Sequence, residues 1–94
     1  MSAEDSQRAF GDVVRFQREA RRWTQADLAR AAGLDRAHVG KIERGELDPG
    51  LATQRKLAAA LELSLPELHQ LAEDELERRR RRLSQAEDDP DPGP

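Results

Sequence analysis

A chain of 94 residues with a formal net charge of -3 and no cysteine has room for one small domain and its tails. The lack of cysteine excludes disulfides and thiolate zinc sites, and His38 and His69 lie too far apart to form a local metal-ligand motif. No apolar run reaches the roughly 18 residues of a membrane span, and the start "MSAEDSQRAF" lacks the features of a leader. We therefore expect a soluble cytoplasmic protein without metal or cofactor, and no cluster of nucleophile and base indicates an enzyme.

Acidic residues are concentrated at the two ends of the chain. Residues 8–83 contain all 16 Lys and Arg but only 13 of the 19 Asp and Glu, so the body of the chain is mildly basic. The first residues and the end "AEDDPDPGP" offer little to bury. We therefore expect a flexible segment at 1–7, a folded domain at 8–72, a charged helical extension at 73–85 and a disordered tail at 86–94.

The periodic apolar segments all have helical spacing, which predicts an all-α fold. The first predicted helix runs from about Gln7 to Arg21. Thr24 is the predicted N-cap of a second helix, Gln25–Ala32, because Asp27 completes a variant of the capping box. Gly33 is expected to end that helix, since glycine adopts the left-handed conformation without a Cβ penalty.

Three further helices follow from the same signals. Asp35 is the predicted N-cap of the third helix, Arg36–Arg44, and Gly45 its end. The fourth helix is predicted from about Leu51 to Leu61, after a loop rich in proline and glycine. Ser64 is expected to cap the fifth helix.

The second and third predicted helices are short and joined by a glycine turn, which is typical of a helix-turn-helix unit. At 100° per residue, an arc of about 140° on the third helix contains only basic or small residues. Val39 and Ile42 share the opposite face. A glycine in a helix interior costs about 1 kcal/mol relative to alanine, so Gly40 in this arc favours close approach to another surface, such as a DNA groove. The alternative is a tolerated glycine on a solvated face. The arc contains Arg36, Ala37, Gly40, Lys41 and Arg44.

The chain resembles the phage-repressor/Cro-like (XRE) helix-turn-helix family without gaps from Phe10 to about Leu71. The resemblance is carried by "TQADLA", by the turn "ARAAGL", by "VGKIERG" and by "KLAAALELSLPEL". It implies a compact five-helix, lambda-repressor-like bundle that binds operator DNA, usually as a dimer.

The resemblance also implies roles for residues on the third helix. Arg36 and Ala37 match the usual base-reading pair and Lys41 the later one, with Gly40 between them on the same face. Arginine can bind guanine through two hydrogen bonds, and alanine can contact a thymine methyl group. A solvated basic face is the alternative.

Contacts to the DNA backbone and one internal ion pair follow from the same match. Gln25 matches a family glutamine that contacts phosphate, and the helix N-terminus behind it favours an anion in any case. Arg18 and Glu43 match a family pair that forms a partly buried salt bridge. His38 replaces a small hydroxyl residue, so its role stays open. The set assigned to the DNA backbone is Thr24, Gln25, His38 and Arg44.

The last predicted helix suggests how two copies would associate. Its arginine run, Arg78 to Arg82, has glutamates and an aspartate four residues earlier, which indicates a self-neutralising helix. Dimerisation and contact with nucleic acid or an acidic protein are the alternatives. The apolar positions assigned to dimerisation are Leu65, Leu68, Ala72 and Leu76, and truncation after Glu67 is expected to leave a weakly binding monomer.

These observations predict a sequence-specific, repressor-like transcriptional regulator. It would bind a roughly palindromic operator in double-stranded DNA as a homodimer, with the third helix in the major groove. The alternative is a protein-interaction module of the same fold, such as an antitoxin or a coactivator, that binds a partner protein through the charged C-terminal helix.

Overall fold

A computed structural model describes residues 2–88, with side chains described for residues 2–85. Over this range the chain forms helices only, as the sequence predicted. The five helices are α1 (Ala3–Ala20), α2 (Gln25–Ala32), α3 (Arg36–Glu43), α4 (Leu51–Ala60) and α5 (Leu65–Asp88).

The two ends of the described chain are more helical than expected. Segment 1–7, predicted to be flexible, is helical from Ala3. The reason is a capping box, in which the Ser2 hydroxyl accepts the Asp5 N–H at 3.2 Å and the Asp5 carboxylate accepts the Ser2 N–H at 3.1 Å. At the other end, α5 includes the first three residues of the predicted tail, through Asp88. Residues 89–94 lie outside the described residues.

Local capping chemistry sets the starts of α2 and α5. At α2, the Thr24 N–H donates to the Asp27 carboxylate at 2.8 Å and the Asp27 N–H donates to the Thr24 hydroxyl at 3.0 Å. Ser64 and Glu67 repeat this exchange at 2.9 and 3.1 Å. Asp35 also occupies an N-cap position, at α3, but its side chain makes no capping hydrogen bond. Its predicted role as a cap is therefore wrong in that respect.

One apolar core joins all five helices. Its fully buried side chains come from every helix, and the fifth helix contributes Leu68. The prediction that Leu68 takes part in dimerisation is therefore wrong, because the side chain has no surface left to offer a second copy. Truncation after Glu67 would remove a core side chain, so this truncation cannot test dimerisation through α5 separately from folding. The largest fully buried side chains are Val14, Leu28, Val39, Ile42, Leu57, Leu61 and Leu68.

Gly11 allows α1 to pass directly over the C-terminal end of α3. A β-carbon at this position would overlap the carbonyl oxygen of Ile42 and lie 2.8 Å from that of Glu43. Backbone atoms at such distances cannot move aside without shifting a helix. The close approach of α1 and α3 therefore requires glycine, a role that the sequence analysis did not assign to Gly11.

The long α5 packs against α1 and α4 and extends beyond the bundle. Arg79 of α5 forms an ion pair with Asp12 of α1, and Leu68 anchors its first half in the core. A 24-residue helix is about 36 Å long, which explains overall dimensions of 51 × 26 × 21 Å. No helix in the described part of the chain has the length and apolar character needed to span a membrane.

Candidate nucleic-acid interface

The turn between α2 and α3 fixes the geometry of the pair. Gly33 adopts φ 68°, and the Leu34 N–H behind it donates to the Ala29 carbonyl at 2.8 Å. Val39 and Ile42 of α3 are fully buried, which orients the opposite side of the helix toward solvent. The exposed residues on that side include Arg36, Ala37 and Lys41.

Gly40 differs from its predicted position at the open centre of this face. The residue is buried, and a β-carbon built on it would lie 3.0 Å from Nη1 of Arg44 and 3.5 Å from Oε1 of Gln25. These two side chains cover the glycine from either side. The missing side chain therefore makes room for the Arg44 guanidinium, which sequence periodicity alone could not indicate.

A network of three polar side chains connects α3 to α1 and α2. Arg18 donates from Nε to Oε2 of Glu43 at 2.7 Å and from Nη2 to Oε1 at 3.0 Å. Gln25 donates from Nε2 to the same Oε1 at 3.1 Å. Arg18 also donates to the Trp23 carbonyl at 2.6 Å. The structure thus contains the ion pair predicted between Arg18 and Glu43, and it adds Gln25 as a third member.

The network is mostly shielded from solvent, with the Glu43 side chain 2% exposed and that of Arg18 12% exposed. The hydrogen bond to Glu43 raises the pKa of Arg18 above its usual value, so the guanidinium stays charged. A buried charge of this kind needs its partner, because an unpaired carboxylate in this environment is costly. The orientation of α3 therefore depends on Arg18.

The four residues assigned to contacts with the DNA backbone differ in exposure and in their hydrogen bonds. Thr24 is exposed, and its hydroxyl caps α2. The Gln25 amide nitrogen donates a hydrogen bond to Glu43. The His38 side chain is half-buried. Arg44 is exposed but not free, because its guanidinium is bonded to a carboxylate two residues further along the chain.

That carboxylate belongs to Glu46, a residue that the sequence analysis did not single out. It accepts from Arg44 Nε at 3.0 Å and from Nη2 at 3.2 Å. The bond to Arg44 holds the pKa of Glu46 below its usual range. A sequence signal existed, since a glycine between an arginine and a glutamate permits the sharp turn that brings the two side chains together.

The arginines of α5 are paired with carboxylates within the molecule. Glu75 lies within 3.0 to 3.6 Å of Arg78, Arg79 and Arg82. Glu77 lies 3.7 Å from Arg80 and 3.5 Å from Arg81. This arrangement supports the interpretation of the run as a self-neutralising helix.

Large apolar side chains are exposed at three places among the described residues. Phe16 of α1 is 69% exposed, Leu83 of α5 59% and Leu51 of α4 54%. Three of the residues predicted for dimerisation, Leu65, Ala72 and Leu76, are half-buried. The described residues contain no cluster of side chains suited to a metal ion.

Comparison with known proteins agrees with this geometry. The helix-turn-helix family matches residues 14–68, which is more than half of the chain. Control protein C.SmaI of Serratia marcescens is 36% identical over 64 residues, which cover 68% of this chain and 76% of that protein. The chain therefore belongs to the helix-turn-helix family, and the predicted similarity to XRE-type transcription regulators is confirmed.

Solved structures show the same fold. The restriction-modification controller protein C.AhdI from Aeromonas hydrophila is 40% identical, with a TM-score of 0.64 over 66% of this chain and 94% of that one. The clp gene regulator ClgR from Corynebacterium glutamicum is 20% identical, with a TM-score of 0.82 over 87% of each chain, and it shows the likeness in fold alone.

Some relatives are much longer than the matched region. The HTH-type transcriptional regulator SutR of Escherichia coli is 36% identical over 58 residues, which are 62% of this chain but only 33% of SutR. The matched part covers 26% and 45% of two other curated relatives. Each of these names describes a regulator or a transcription factor.

Proposed function

We propose that this chain is a sequence-specific transcriptional regulator that binds double-stranded DNA with α3 in the major groove. One observation carries the proposal: α3 exposes Arg36, Ala37 and Lys41, whereas Val39 and Ile42 on its other side are fully buried. An exposed guanidinium can bind the O6 and N7 atoms of guanine, and an exposed methyl group can contact thymine. Family membership supports the same orientation of the helix pair.

Backbone contacts would surround this base-reading face. Gln25 and Thr24 stand at the N-terminus of α2, where backbone N–H groups and the helix dipole favour a phosphate. His38 lies in the first half of α3, and Arg44 is the C-cap residue of that helix. The ion pair of Arg18 with Glu43 would hold α3 in position without reading sequence itself, because both groups are occupied inside the protein.

A homodimer would supply the affinity that one short helix lacks. A single recognition helix reads only a few base pairs, and the mildly basic body adds little attraction at physiological salt. Two copies related by a two-fold axis would place their α3 helices about 34 Å apart, so the site would be roughly palindromic with half-sites about 10 base pairs apart. Regulation would follow from occupancy of the operator, by blocking or recruiting polymerase.

The proposed dimer surface is the apolar stripe of α5. With Leu68 assigned to the core, the predicted residues Leu65, Ala72 and Leu76 are joined by the exposed Leu83. At 100° per residue these four positions fall within about 40° on one side of the helix. The stripe therefore extends from the bundle onto the projecting half of α5.

Selection of bound sequences from a random DNA pool tests DNA binding and specificity together. Enrichment of a palindromic site supports the proposal, whereas a pool without enrichment contradicts it.

Sedimentation of the intact chain tests the dimer, with Leu83→Glu expected to shift the chain toward monomer. Leu51→Glu is the matched control, because Leu51 is equally exposed but lies on α4. Co-purification with a second polypeptide, together with no enrichment of DNA, would favour the interaction-module alternative.

A further inference from the structure

The guanidinium of Arg44 rests directly on the backbone of α3. Its Nη1 atom lies 3.0 Å from the point where a β-carbon of Gly40 would stand, and Oε1 of Gln25 lies 3.5 Å from that point. Any side chain at position 40 would push the guanidinium away from the helix. Nη1 of Arg44 therefore packs against Gly40, and Nε and Nη2 form the other edge of the guanidinium.

Glu46 occupies that other edge. Its two carboxylate oxygens accept from Nε and Nη2 of Arg44 at 3.0 and 3.2 Å. Paired parallel hydrogen bonds of this kind are also how an arginine binds a phosphate group. In the free protein, the part of Arg44 best suited to a DNA phosphate is thus already bonded to a carboxylate of the same chain.

The turn that brings Glu46 back to Arg44 is held by packing. Gly45 between them adopts φ 72°, a conformation that favours glycine. A β-carbon on Gly45 would lie 2.7 Å from Cγ and 3.1 Å from Cα of Arg8 in α1. The close approach of α1 therefore requires glycine in the turn that leads from α3 to Glu46.

We propose that Glu46 acts as an intramolecular substitute for a DNA phosphate on Arg44, and that it lowers the affinity of the chain for every DNA sequence. The inference rests on the proposed function. To bind a phosphate through Nε and Nη2, Arg44 must leave Glu46, and the released carboxylate then lies close to the phosphate and repels it. Both side chains are about half exposed, at 56% and 54%, so their ion pair adds little to the stability of the free protein.

This arrangement weakens the part of binding that carries no sequence information. Contacts between basic side chains and phosphates supply most non-specific binding to DNA. With Arg44 engaged by Glu46, the surface around α3 is less positive until DNA arrives. Because a phosphate contact by Arg44 belongs to specific and non-specific complexes alike, Glu46 lowers both affinities without changing the ratio between them.

The substitution Glu46→Gln tests this role. Binding of the selected site and of an unrelated duplex is measured by fluorescence anisotropy at about 50 and about 200 mM salt. We expect about two- to fivefold tighter binding to both duplexes at the lower salt, a range set by the small worth of an exposed ion pair. The midpoint of thermal unfolding should not change.

Asp48→Asn is the matched control, because it removes the same charge from the same loop. Asp48 is exposed and belongs to no ion pair among the described residues. We expect a smaller gain in affinity from this variant. A gain equal to that of Glu46→Gln would overturn the proposal, since it would show a general effect of loop charge.

A double-mutant cycle with Arg44→Gln separates the ion pair from its surroundings. In the Arg44→Gln background, the gain from Glu46→Gln should fall to the level of the Asp48→Asn control. An undiminished gain would overturn the proposal, and weaker binding by Glu46→Gln alone would show instead that Glu46 presents Arg44 to DNA. If the wild-type chain binds no DNA, the proposed function itself fails, and this inference with it; if the wild type binds and Glu46→Gln binds equally well, this inference alone fails.

Discussion

Arg18 of α1 and Glu43 of α3 form a bidentate ion pair, with Nε–Oε2 and Nη2–Oε1 distances of 2.7 and 3.0 Å. The pair lies at the C-terminal end of α3, away from Arg36 at the start of the helix. Gln25 of α2 shares one oxygen of the same carboxylate. The buried Glu43 carboxylate therefore connects α3, the helix proposed to enter the groove, to α1 and α2.

Removal of one partner should destabilise the protein strongly. Arg18→Met leaves the Glu43 carboxylate buried with only the Gln25 amide to compensate its charge. We expect the free energy of unfolding to fall by about 3 kcal/mol, the usual scale for breaking a buried pair from one side. Urea denaturation followed by circular dichroism measures it.

The double variant Arg18→Met with Glu43→Met supplies the control. Replacing both charges with apolar side chains of similar size removes the unpaired carboxylate, so much of the lost stability should return. If the double variant is less stable than Arg18→Met alone, the ion pair is not what makes the single substitution costly.

Gly11→Ala should also be strongly destabilising, for a steric reason. The new β-carbon would overlap the Ile42 carbonyl oxygen, and overpacking commonly costs about 1–3 kcal/mol. We expect a loss of about 2 kcal/mol in the free energy of unfolding, measured by the same denaturation.

Gly50→Ser is the matched control for Gly11→Ala, because a side chain at position 50 has space around it. Nothing lies within 4 Å of a β-carbon at Gly50, and the residue occupies the N-cap of α4 without a side-chain hydrogen bond. Serine is a better cap than glycine by a few tenths of a kcal/mol. This variant should be neutral or slightly stabilising, and equal destabilisation by both variants would refute the steric account of Gly11.

Gly40→Ala should separate stability from binding. Only the flexible end of Arg44 stands in the way of the new β-carbon, and alanine favours a helix over glycine by about 1 kcal/mol. We expect a gain of about 0.5–1 kcal/mol in stability together with weaker DNA binding, because the new methyl group displaces the Arg44 guanidinium from its position against α3. Thermal unfolding and anisotropy titration measure the two effects; a stabilised variant with unchanged affinity would place Gly40 outside the interface.

The capping box of α2 predicts a pH dependence. Hydrogen bonds from the Thr24 backbone and hydroxyl hold the pKa of Asp27 below its ordinary value of 3.8. Since the pKa is lower in the folded chain than in the unfolded one, ionised Asp27 stabilises the fold above pH 3.8, and this contribution is lost as the pH falls through the folded-state pKa. Asp27→Asn should therefore lower the unfolding midpoint at neutral pH, and the difference from wild type should shrink under acid conditions.

Asp35→Asn serves as its control. Asp35 occupies the same position at α3 but makes no capping hydrogen bond, so its substitution should change the unfolding midpoint little at either pH. A difference for Asp27→Asn that stays constant from neutral to acid pH would rule out ionisation of Asp27 as its cause.

Local signals allowed the helix order and the limits of α2 to be predicted. Thr24, Asp27 and Gly33 act through neighbours within one turn, so their pattern is visible in sequence. The ion pair of Arg18 with Glu43 joins residues 25 positions apart and was predicted from family resemblance rather than from spacing.

Features that depend on packing between helices were not accessible in this way. Helical periodicity placed Gly40 in an exposed arc, but the side chains of Gln25 and Arg44 fold over it. Leu68 lies on an apolar stripe of α5, and only the position of that helix against the core decides that the residue is buried. The need for Gly11 likewise arises from a contact with the distant end of α3.

Sequence selection with Arg36→Ala beside the wild-type chain tests base reading by α3 most directly. If Arg36 binds a guanine, the variant should lose about 1–3 kcal/mol of affinity for the wild-type site and relax the preference at one base pair in each half-site. Arg81→Ala, on the distant α5, should leave the selected sequence unchanged. Equal weakening by Arg36→Ala on every sequence, with the preference intact at all positions, would contradict base reading by α3.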